Sequence, residues 1–224
     1  MRIVDLTFPI KPHFRWKVAT ELKAAHARGD LFNATVLTIP CHAFTHVDAP
    51  LHFLPGTTHI AEMPVEQWVG EAAVVDVTHV PENGEVTAAD LERQGQHVRA
   101  GDIVLLRTDW PERTWRTPAF WADAPWLSDD AAAFLADCGI RIIGYDFPQE
   151  YAIRNIASGK AVMADFTVHL IMLSRGVWQL EYLMNLRALP SPRVQLLVCP
   201  LPLVGVEGSP VRVLAVPQRR HAGE

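Results

Sequence analysis

The sequence predicts an α/β fold in a single domain spanning residues 1–224. The chain is 224 residues long and 49% hydrophobic, which is enough to build one full core. Three short branched-apolar runs, 74–77, 103–107 and 141–145, are typical of central strands with both faces covered. A helix with marked ends lies between the last two runs. Buried strands separated by a helix indicate the α/β class.

The N-terminal elements follow from local patterns. Residues 2–7 (RIVDLT) predict a short opening strand, which Pro9 and Pro12 end. We expect a short helix over residues 18–28. Residues 34–39 (ATVLTI) predict a strand that runs into a histidine-rich stretch.

The helix that follows the second central strand has clear boundaries. Ser128 is a suitable N-cap, and Asp129 and Asp130 favour the first turn through the helix dipole. Gly139 stands just past the expected end, where a left-handed residue terminates many helices. The apolar face of this helix is expected to be ordinary core.

Three further stretches complete the pattern. Residues 110–126 hold four tryptophans and several prolines without a clear period, so we expect a lid or an oligomer contact. Two further strands are predicted over 194–198 and 211–216, joined by a connection rich in proline and glycine.

The stretch Cys41–Phe53 (CHAFTHVDAPLHF) holds the densest group of chemically active side chains. Three of the ten histidines fall between His42 and His52, where random placement would put roughly half of one. His46 and Asp48 lie inside this group. Imidazole and carboxylate together are the usual ligands for zinc, manganese or iron, so the stretch predicts a metal site.

Neither a regular helix nor a flat strand brings these side chains to one ion. On a helix, His42 and His46 share a face, but Asp48 does not. On a flat strand, His42 and His46 would stand about 13 Å apart, whereas metal ligands lie about 2 Å from the ion. Prolines bracket the segment and argue against a long helix. The sequence therefore predicts a bent, strand-derived loop; the alternative of ordinary polar histidines stays open.

A second segment supplies further candidate ligands. Asp165 can cap a helix over 166–175, with His169 inside it, and a glycine can end that helix. The strand pattern VWQLEYL follows and carries Glu181. A helix–glycine–strand reversal can return Glu181 to the side of His169. Taken separately, the two could be a satisfied helix histidine and a solvated strand residue.

These motifs resemble the cyclase family of metal-dependent hydrolases, which includes kynurenine formamidases and isatin hydrolases. The pattern His-x-x-Thr-His-x-Asp-x-Pro-x-His over residues 42–52 and a His and a Glu twelve residues apart carry the resemblance. It extends from DLTFPI to GSPVRVLAV, over most of the chain. The resemblance implies a compact α/β domain with a mixed β-barrel-like sheet core flanked by helices, assembled as a homodimer or homotetramer.

The resemblance also implies a divalent metal centre. His42, His46 and Asp48 would bind one ion, and His169 and Glu181 a second that Asp48 bridges. Zinc is expected, with manganese as the alternative, and one ion or two remain open. A divalent metal lowers the pKa of bound water to about 7. His52 is expected to stay unligated and to act as general base and then general acid.

The implied substrate is a small-molecule amide. The leading expectation is hydrolysis of an aryl formamide, N-formylkynurenine, to kynurenine and formate, a step of tryptophan catabolism. The alternatives are ring opening of a cyclic amide or lactone, and a metal-binding module without turnover in which Phe44, standing where the family carries glycine, plugs the site. Trp16, Phe44 and Phe147 are expected to bind a flat aromatic substrate, although each could be core.

Composition excludes several other classes of function. The net charge is −5 and the basic residues are scattered, so no nucleic-acid partner is expected. The most apolar run, 196–206, is far shorter than the roughly 20 residues that span a bilayer, so no membrane partner is expected. Three distant cysteines indicate no disulfide framework, and we expect a cytoplasmic protein. Serine-hydrolase and phosphate-loop motifs are absent from the sequence.

Overall fold

The protein, seen in a computed structural model, is described over residues 3–217. The strands in this range are β1 (Val4–Asp5), β2 (Ala19–Ala24), β3 (Ala34–Thr38), β4 (His46–Asp48), β5 (Val69–Asp76), β6 (Glu85–Val86), β7 (Ile103–Arg107), β8 (Trp126–Leu127), β9 (Ile142–Tyr145), β10 (Trp178–Glu181), β11 (Arg193–Pro200) and β12 (Gly208–Pro217). The α-helices are α1 (Ala88–Gln94), α2 (Pro111–Thr114), α3 (Ala119–Ala122), α4 (Asp129–Asp137) and α5 (Thr167–Ser174). Arg2, at the start of the predicted opening strand, lies outside the described residues.

Seven strands close into a mixed barrel. Their order is β12, β11, β5, β7, β9, β10 and β4, and β4 pairs again with β12. The neighbours from β5 to β10 are parallel, and the other pairs are antiparallel. β1 pairs with β12 beyond the part of β12 that contacts β4. This arrangement confirms the predicted α/β domain with a mixed β-barrel-like sheet core.

Alternation along the barrel strands builds two cores. Val74 and Leu105 belong to one apolar cluster, which takes residues from all seven barrel strands and therefore fills the barrel interior. Val75 and Leu106, one position further along, belong to a second cluster that includes Met172 of α5. The helices thus pack on the outer face of the parallel strands, where both faces are covered as the branched-apolar runs predict.

Two of the three predicted helices form, and the prediction of their ends was right for α4 but wrong in one detail for α5. Ser128 caps α4 as predicted, because its Oγ accepts a hydrogen bond from the backbone N–H of Ala131 at 3.2 Å. Gly139 follows α4 with φ 72°. Asp165 does not cap α5, and that detail was wrong. Its carboxylate accepts from the N–H of Val162 at 3.0 Å, within a preceding 3₁₀ turn.

The helix expected over residues 18–28 was wrong. These residues do not form a helix, because β2 pairs with β3 in a separate hairpin, and this pairing overrides local propensity. Residues 110–126 form no exposed lid, since Trp110, Trp115 and Trp121 are buried in the outer core. The alternative, that this stretch makes an oligomer contact, stays a prediction. Among residues 3–217, none of the helices has the length and hydropathy that a membrane-spanning segment requires.

Candidate metal centre

The histidine-rich stretch bends at both ends of a three-residue strand. His46 and Asp48 lie on β4, and their side chains share a face because they are two residues apart. A turn precedes β4 and the 3₁₀ turn Pro50–His52 follows it. These bends bring the His42 and His52 rings together, with their centroids 3.9 Å apart.

The backbone of Phe44 orients His46. Phe44 adopts a left-handed conformation with φ 57°, which costs a residue with a side chain roughly 1–2 kcal/mol. The Phe44 carbonyl accepts a hydrogen bond from His46 Nδ1 at 2.8 Å. That bond leaves Nε2 of His46 to face the carboxylates, as is usual for a metal-binding histidine.

Glu181 reaches the site through the register of the sheet. β10 and β4 are antiparallel, and Glu181 stands directly opposite His46, so the two side chains share a face. His46 Nε2 lies 3.6 Å from Glu181 Oε2. The hydroxyl of Thr45 donates to the carbonyl of Tyr182 at 2.6 Å and ties these two segments together.

His169 reaches the same centre from α5. Gly176, with φ 75°, follows α5 and the chain then enters β10. His169 Nδ1 lies 3.2 Å from Glu150 Oε1. His169 Nε2 lies 3.1 Å from Glu181 Oε1 and 3.5 Å from Asp48 Oδ2. The helix–glycine–strand reversal therefore places this histidine beside the first cluster.

Asp48 is the carboxylate that connects the two halves. It is fully buried, and its Oδ1 lies 2.7 Å from His42 Nδ1 and 3.3 Å from His46 Nε2. Its Oδ2 has no hydrogen-bond partner among residues 3–217. Burial alone would raise the pKa of Asp48, but the surrounding imidazoles hold this pKa well below its usual range.

The donor set fits a divalent metal ion. Candidate ligand atoms of His46, Asp48 and Glu181 lie within 4.8 Å of one another, and so do those of His42, Asp48 and His52. Imidazole nitrogens with carboxylate oxygens suit zinc, manganese or iron. Burial opposes protonation of His42, yet Asp48 raises the pKa of His42 to about 9. The unpartnered Oδ2 of Asp48 and the negative charge of the Asp48 and Glu181 carboxylates both fit a bound cation.

His52 differs from His42 and His169 in the direction of its pKa shift. Burial and the neighbouring imidazoles of His42 and His169 lower the pKa of His52 to about 4, although Asp48 opposes this shift. Its ring nitrogens have no hydrogen-bond partner in the part of the chain that the structure describes. His52 is therefore neutral near pH 7 and able to accept a proton beside the donor cluster.

Gln149 lies against two of the candidate ligands, a contact that the sequence did not predict. It is fully buried, donates a hydrogen bond from Nε2 to Glu181 Oε1, and lies 3.2 Å from His169 Nε2. Glu150 beside it accepts from the backbone N–H of His169 at 2.5 Å. The sequence signal for both residues is their position just after the buried parallel strand β9, because side chains at the carboxyl ends of parallel strands commonly form binding sites.

Asp146 anchors the segment that carries Gln149. Its carboxylate accepts hydrogen bonds from Thr108 Oγ1 at 2.5 Å and from the backbone N–H groups of Thr108 and Asp109, both at 2.9 Å. Burial raises the pKa of Asp146 to about 7, against the effect of these hydrogen bonds. The end of β9 is thereby joined to the end of β7.

A cavity of about 260 Å³ opens in front of the metal-type donors. Of the three aromatic residues predicted to bind substrate, Trp16 lines this cavity, but Phe44 and Phe147 do not. Both phenylalanines are buried in the outer core, so core packing replaces the predicted substrate contact. Apolar wall residues that the sequence prediction missed are Phe53, Ile153, Ile156 and Phe166.

The structure explains why the GSPVRVLAV motif begins with a glycine, Gly208. It pairs opposite Asp48 where β12 contacts β4. A Cβ atom at this position would lie 2.6 Å from Cε1 of His42. The missing side chain therefore lets the His42 ring pack against the backbone of β12.

Comparisons with known proteins agree with this geometry. Residues 4–149 match the Cyclase family, described as "Putative cyclase". Kynurenine formamidase from Bacillus cereus is 29% identical over 185 residues, which are 83% of this chain and 80% of that protein. Isatin hydrolase A from Labrenzia aggregata, solved with benzyl benzoate, superposes with a TM-score of 0.83 at 25% identity, over 97% of this chain and 94% of the other. A structure described as a potential metal-dependent hydrolase with cyclase activity gives a TM-score of 0.71 at 26% identity, over 98% and 99% of the two chains.

Proposed function

The chain belongs to the Cyclase family, and we propose that it is a metal-dependent amidohydrolase that cleaves a small aryl formamide. N-formylkynurenine is the proposed substrate, and kynurenine and formate are the products. The kynurenine formamidase and isatin hydrolase relatives support a hydrolase acting on C–N amide bonds. The choice of a formamide rests on the Bacillus cereus relative.

One observation carries the proposal: imidazoles and carboxylates from two distant segments meet in one cavity. Asp48 contacts His42 and His46 from its own segment, and His169 from α5. Glu181 contacts His46 and His169. A buried cluster of this composition is costly unless a cation balances it, which supports a metal role for these five residues.

His42, His46 and Asp48 would hold one divalent ion, with zinc proposed and manganese as the alternative. His169 and Glu181, with Asp48 shared, would hold a second ion if two bind. The bound metal supplies Lewis acidity, which lowers the pKa of water and polarises a carbonyl. The carbonyl of Phe44 orients the His46 ring through the nitrogen that does not face the cluster, and Glu150 lies 3.2 Å from the corresponding nitrogen of His169.

His52 would move the proton that hydrolysis requires. Its neutral ring can accept a proton as water attacks the formyl carbon, and can return that proton to the aryl nitrogen as the C–N bond breaks. The leaving amine needs this proton because an amide anion is a very poor leaving group. A positioned acid–base group of this kind contributes typically 10²–10⁴-fold. Its place beside the donor cluster, in the wall of the cavity, supports this role.

The cavity wall supports an aryl substrate. Trp16 and Phe53 present aromatic surfaces, and Ile153 and Phe166 add apolar surface. A flat ring would bury its apolar area here while its formamide faces the metal-type donors.

Ring opening of a cyclic amide or lactone is the second candidate, and the match to isatin hydrolase A favours it. The test is to load the protein with zinc or manganese and to measure turnover of N-formylkynurenine and isatin side by side. Preferential turnover of isatin would overturn the formamide proposal. If the protein hydrolyses neither compound but does hydrolyse another small amide, the amidohydrolase activity stands and both proposed substrates are rejected.

A metal-binding module without turnover is the remaining alternative, in which Phe44 plugs the site. The burial of the Phe44 side chain away from the cavity wall argues against a plug. Metal analysis after purification without chelators, together with the turnover assay, distinguishes this module from an enzyme. A protein that holds metal but hydrolyses no amide would support the module.

We also propose that the chain forms a homodimer or homotetramer. The β2–β3 hairpin pairs with no other strand in the described range, and an isolated two-stranded sheet is marginally stable in water. Leu22, Val36 and Leu37 on it are exposed, which supports burial against a second copy. Light scattering coupled to size exclusion would measure the oligomeric state, and a monomer at micromolar concentration would reject this.

A further inference from the structure

We propose that Arg15 forms a subsite for a carboxylate on the substrate, so that the cavity selects aryl amides carrying a carboxylate over neutral ones. The inference rests on the proposed amidohydrolase function and defines the substrate class of that same site. It concerns the end of the substrate that does not react.

Arg15 is a cation without a counter-charge. It lines the cavity that holds the metal-type donors. Within residues 3–217, no other lysine or arginine lines this cavity. Its guanidinium makes no ion pair or hydrogen bond with any residue in the described part of the chain. A half-buried guanidinium keeps hydrogen-bond donors that water satisfies only in part, and a ligand carboxylate would satisfy them.

The guanidinium is held in place by a contact with the Trp121 ring. The Cζ of Arg15 lies 4.6 Å from the centroid of the Trp121 ring. A cation–π contact of this kind pairs the guanidinium with no carboxylate, so its N–H donors stay free for bidentate binding of a ligand carboxylate. The contact with Trp121 orders the Arg15 side chain in the free protein, so binding a ligand loses less side-chain entropy.

The wall of the cavity carries both signs of charge: the positive guanidinium of Arg15 and the negative carboxylates of Asp48 and Glu181. Tyr182 is another wall residue, and its ring centroid lies 5.4 Å from that of His46 and 6.3 Å from that of Trp121, on which Arg15 stacks. Tyr182 therefore lies between the metal-type donors and the tryptophan that holds the guanidinium. A ligand in this cavity can therefore contact both the carboxylates of the donor cluster and a guanidinium that has no ion pair among residues 3–217.

The chemistry of this arrangement favours a ligand with three parts. These are an amide to be cleaved, a ring that fits the apolar wall, and an anionic group that pairs with Arg15. N-formylkynurenine has all three, because its α-carboxylate is separated from the formamide by the ring and a short chain. Isatin is neutral and would leave Arg15 unpaired.

Two formamides with the same ring test the subsite. The probes are N-formylkynurenine and 2-formamidoacetophenone, which keeps the reacting end and lacks the amino acid. We expect Arg15→Gln to lower kcat/KM for N-formylkynurenine roughly 10- to 100-fold, mainly through KM, and to change it less than about threefold for the neutral probe. Arg15→Lys should recover part of the loss. Arg113→Gln is the matched control, since Arg113 also stacks on a tryptophan but lies outside this cavity.

Equal losses for both probes would show that Arg15 only supports the wall, and no loss for N-formylkynurenine would show that it binds no carboxylate; either result overturns the subsite. Binding of kynurenine to the metal-loaded protein, followed by tryptophan fluorescence, gives a readout that needs no turnover. If neither formamide is hydrolysed, the proposed function fails. A tenfold weaker binding of kynurenine by Arg15→Gln would still support the subsite, and equal binding would reject it.

Discussion

Replacing Phe44 separates the cost of its backbone conformation from the contribution of its side chain. The side chain is 1% exposed and packs against Trp16, with ring centroids 4.8 Å apart. Deleting a buried phenylalanine to alanine costs roughly 3–5 kcal/mol of unfolding free energy. The left-handed backbone at φ 57° costs any residue except glycine roughly 1–2 kcal/mol.

Phe44→Ala should therefore be destabilised by about 3–5 kcal/mol, whereas Phe44→Gly should be about 1 kcal/mol more stable than the alanine variant. This order is the reverse of the usual one, in which glycine is less stable than alanine by roughly 0.5–1 kcal/mol in regular structure. For a chain of this size, 1 kcal/mol corresponds to a shift of about 2–4 °C in Tm. Chelator-treated proteins compared by urea and thermal unfolding measure the difference without a contribution from bound metal.

A glycine variant less stable than the alanine variant would refute the argument from backbone strain. A glycine variant more stable than the wild type would refute the argument from side-chain burial. Turnover also discriminates, because Phe44 lies outside the cavity wall. Phe44→Gly should not raise kcat, and a large gain would restore the view that this side chain plugs the site.

Four other substitutions test the site and the structure that supports it. His52→Ala should retain metal and lose about 10²–10⁴-fold in kcat, whereas Asp48→Ala should lose metal as well; metal analysis and rate assays measure both. Gly208→Ala should displace the His42 ring, since its Cβ would lie 2.6 Å from that ring, and should weaken metal binding about 10- to 100-fold, as measured by metal titration. Burial raises the pKa of Asp146 to about 7, so its contribution to stability is complete below about pH 4 and is lost as the pH rises through 7. Asp146→Asn should remove this part of the pH dependence in urea unfolding of chelated protein.

Each of these predictions has a contrary outcome. Metal loss in His52→Ala with full metal in Asp48→Ala would mean that ligand and acid–base roles are exchanged. Gly70→Ala is the control for Gly208→Ala, because a Cβ at Gly70 meets only the end of the Arg141 side chain; equal metal loss in both would reject the steric argument. A stability difference between wild type and Asp146→Asn that stays constant from pH 4 to pH 8 would reject the buried-carboxyl argument.

Local chemistry made several elements predictable. The α4 helix was found because Ser128 and Gly139 mark its ends within the sequence itself. The strand of residues 103–107 matches β7 because a run of branched apolar residues is typical of a strand covered on both faces. The β2 strand was missed because its conformation depends on β3 as a partner. Pairing of that kind leaves only a weak signal in a single segment.

The sequence by itself determined which chemistry is present: the density of histidines around Asp48, the spacing of His169 and Glu181, and the class of fold. Only the tertiary structure decided how these groups are used. The register of β4 against β10 places Glu181 opposite His46, and the fold buries Phe44 while leaving Arg15 at the cavity wall. The physical reason is that side-chain type is a local property, whereas register, burial and the pairing of charges depend on contacts between distant segments that no local pattern encodes.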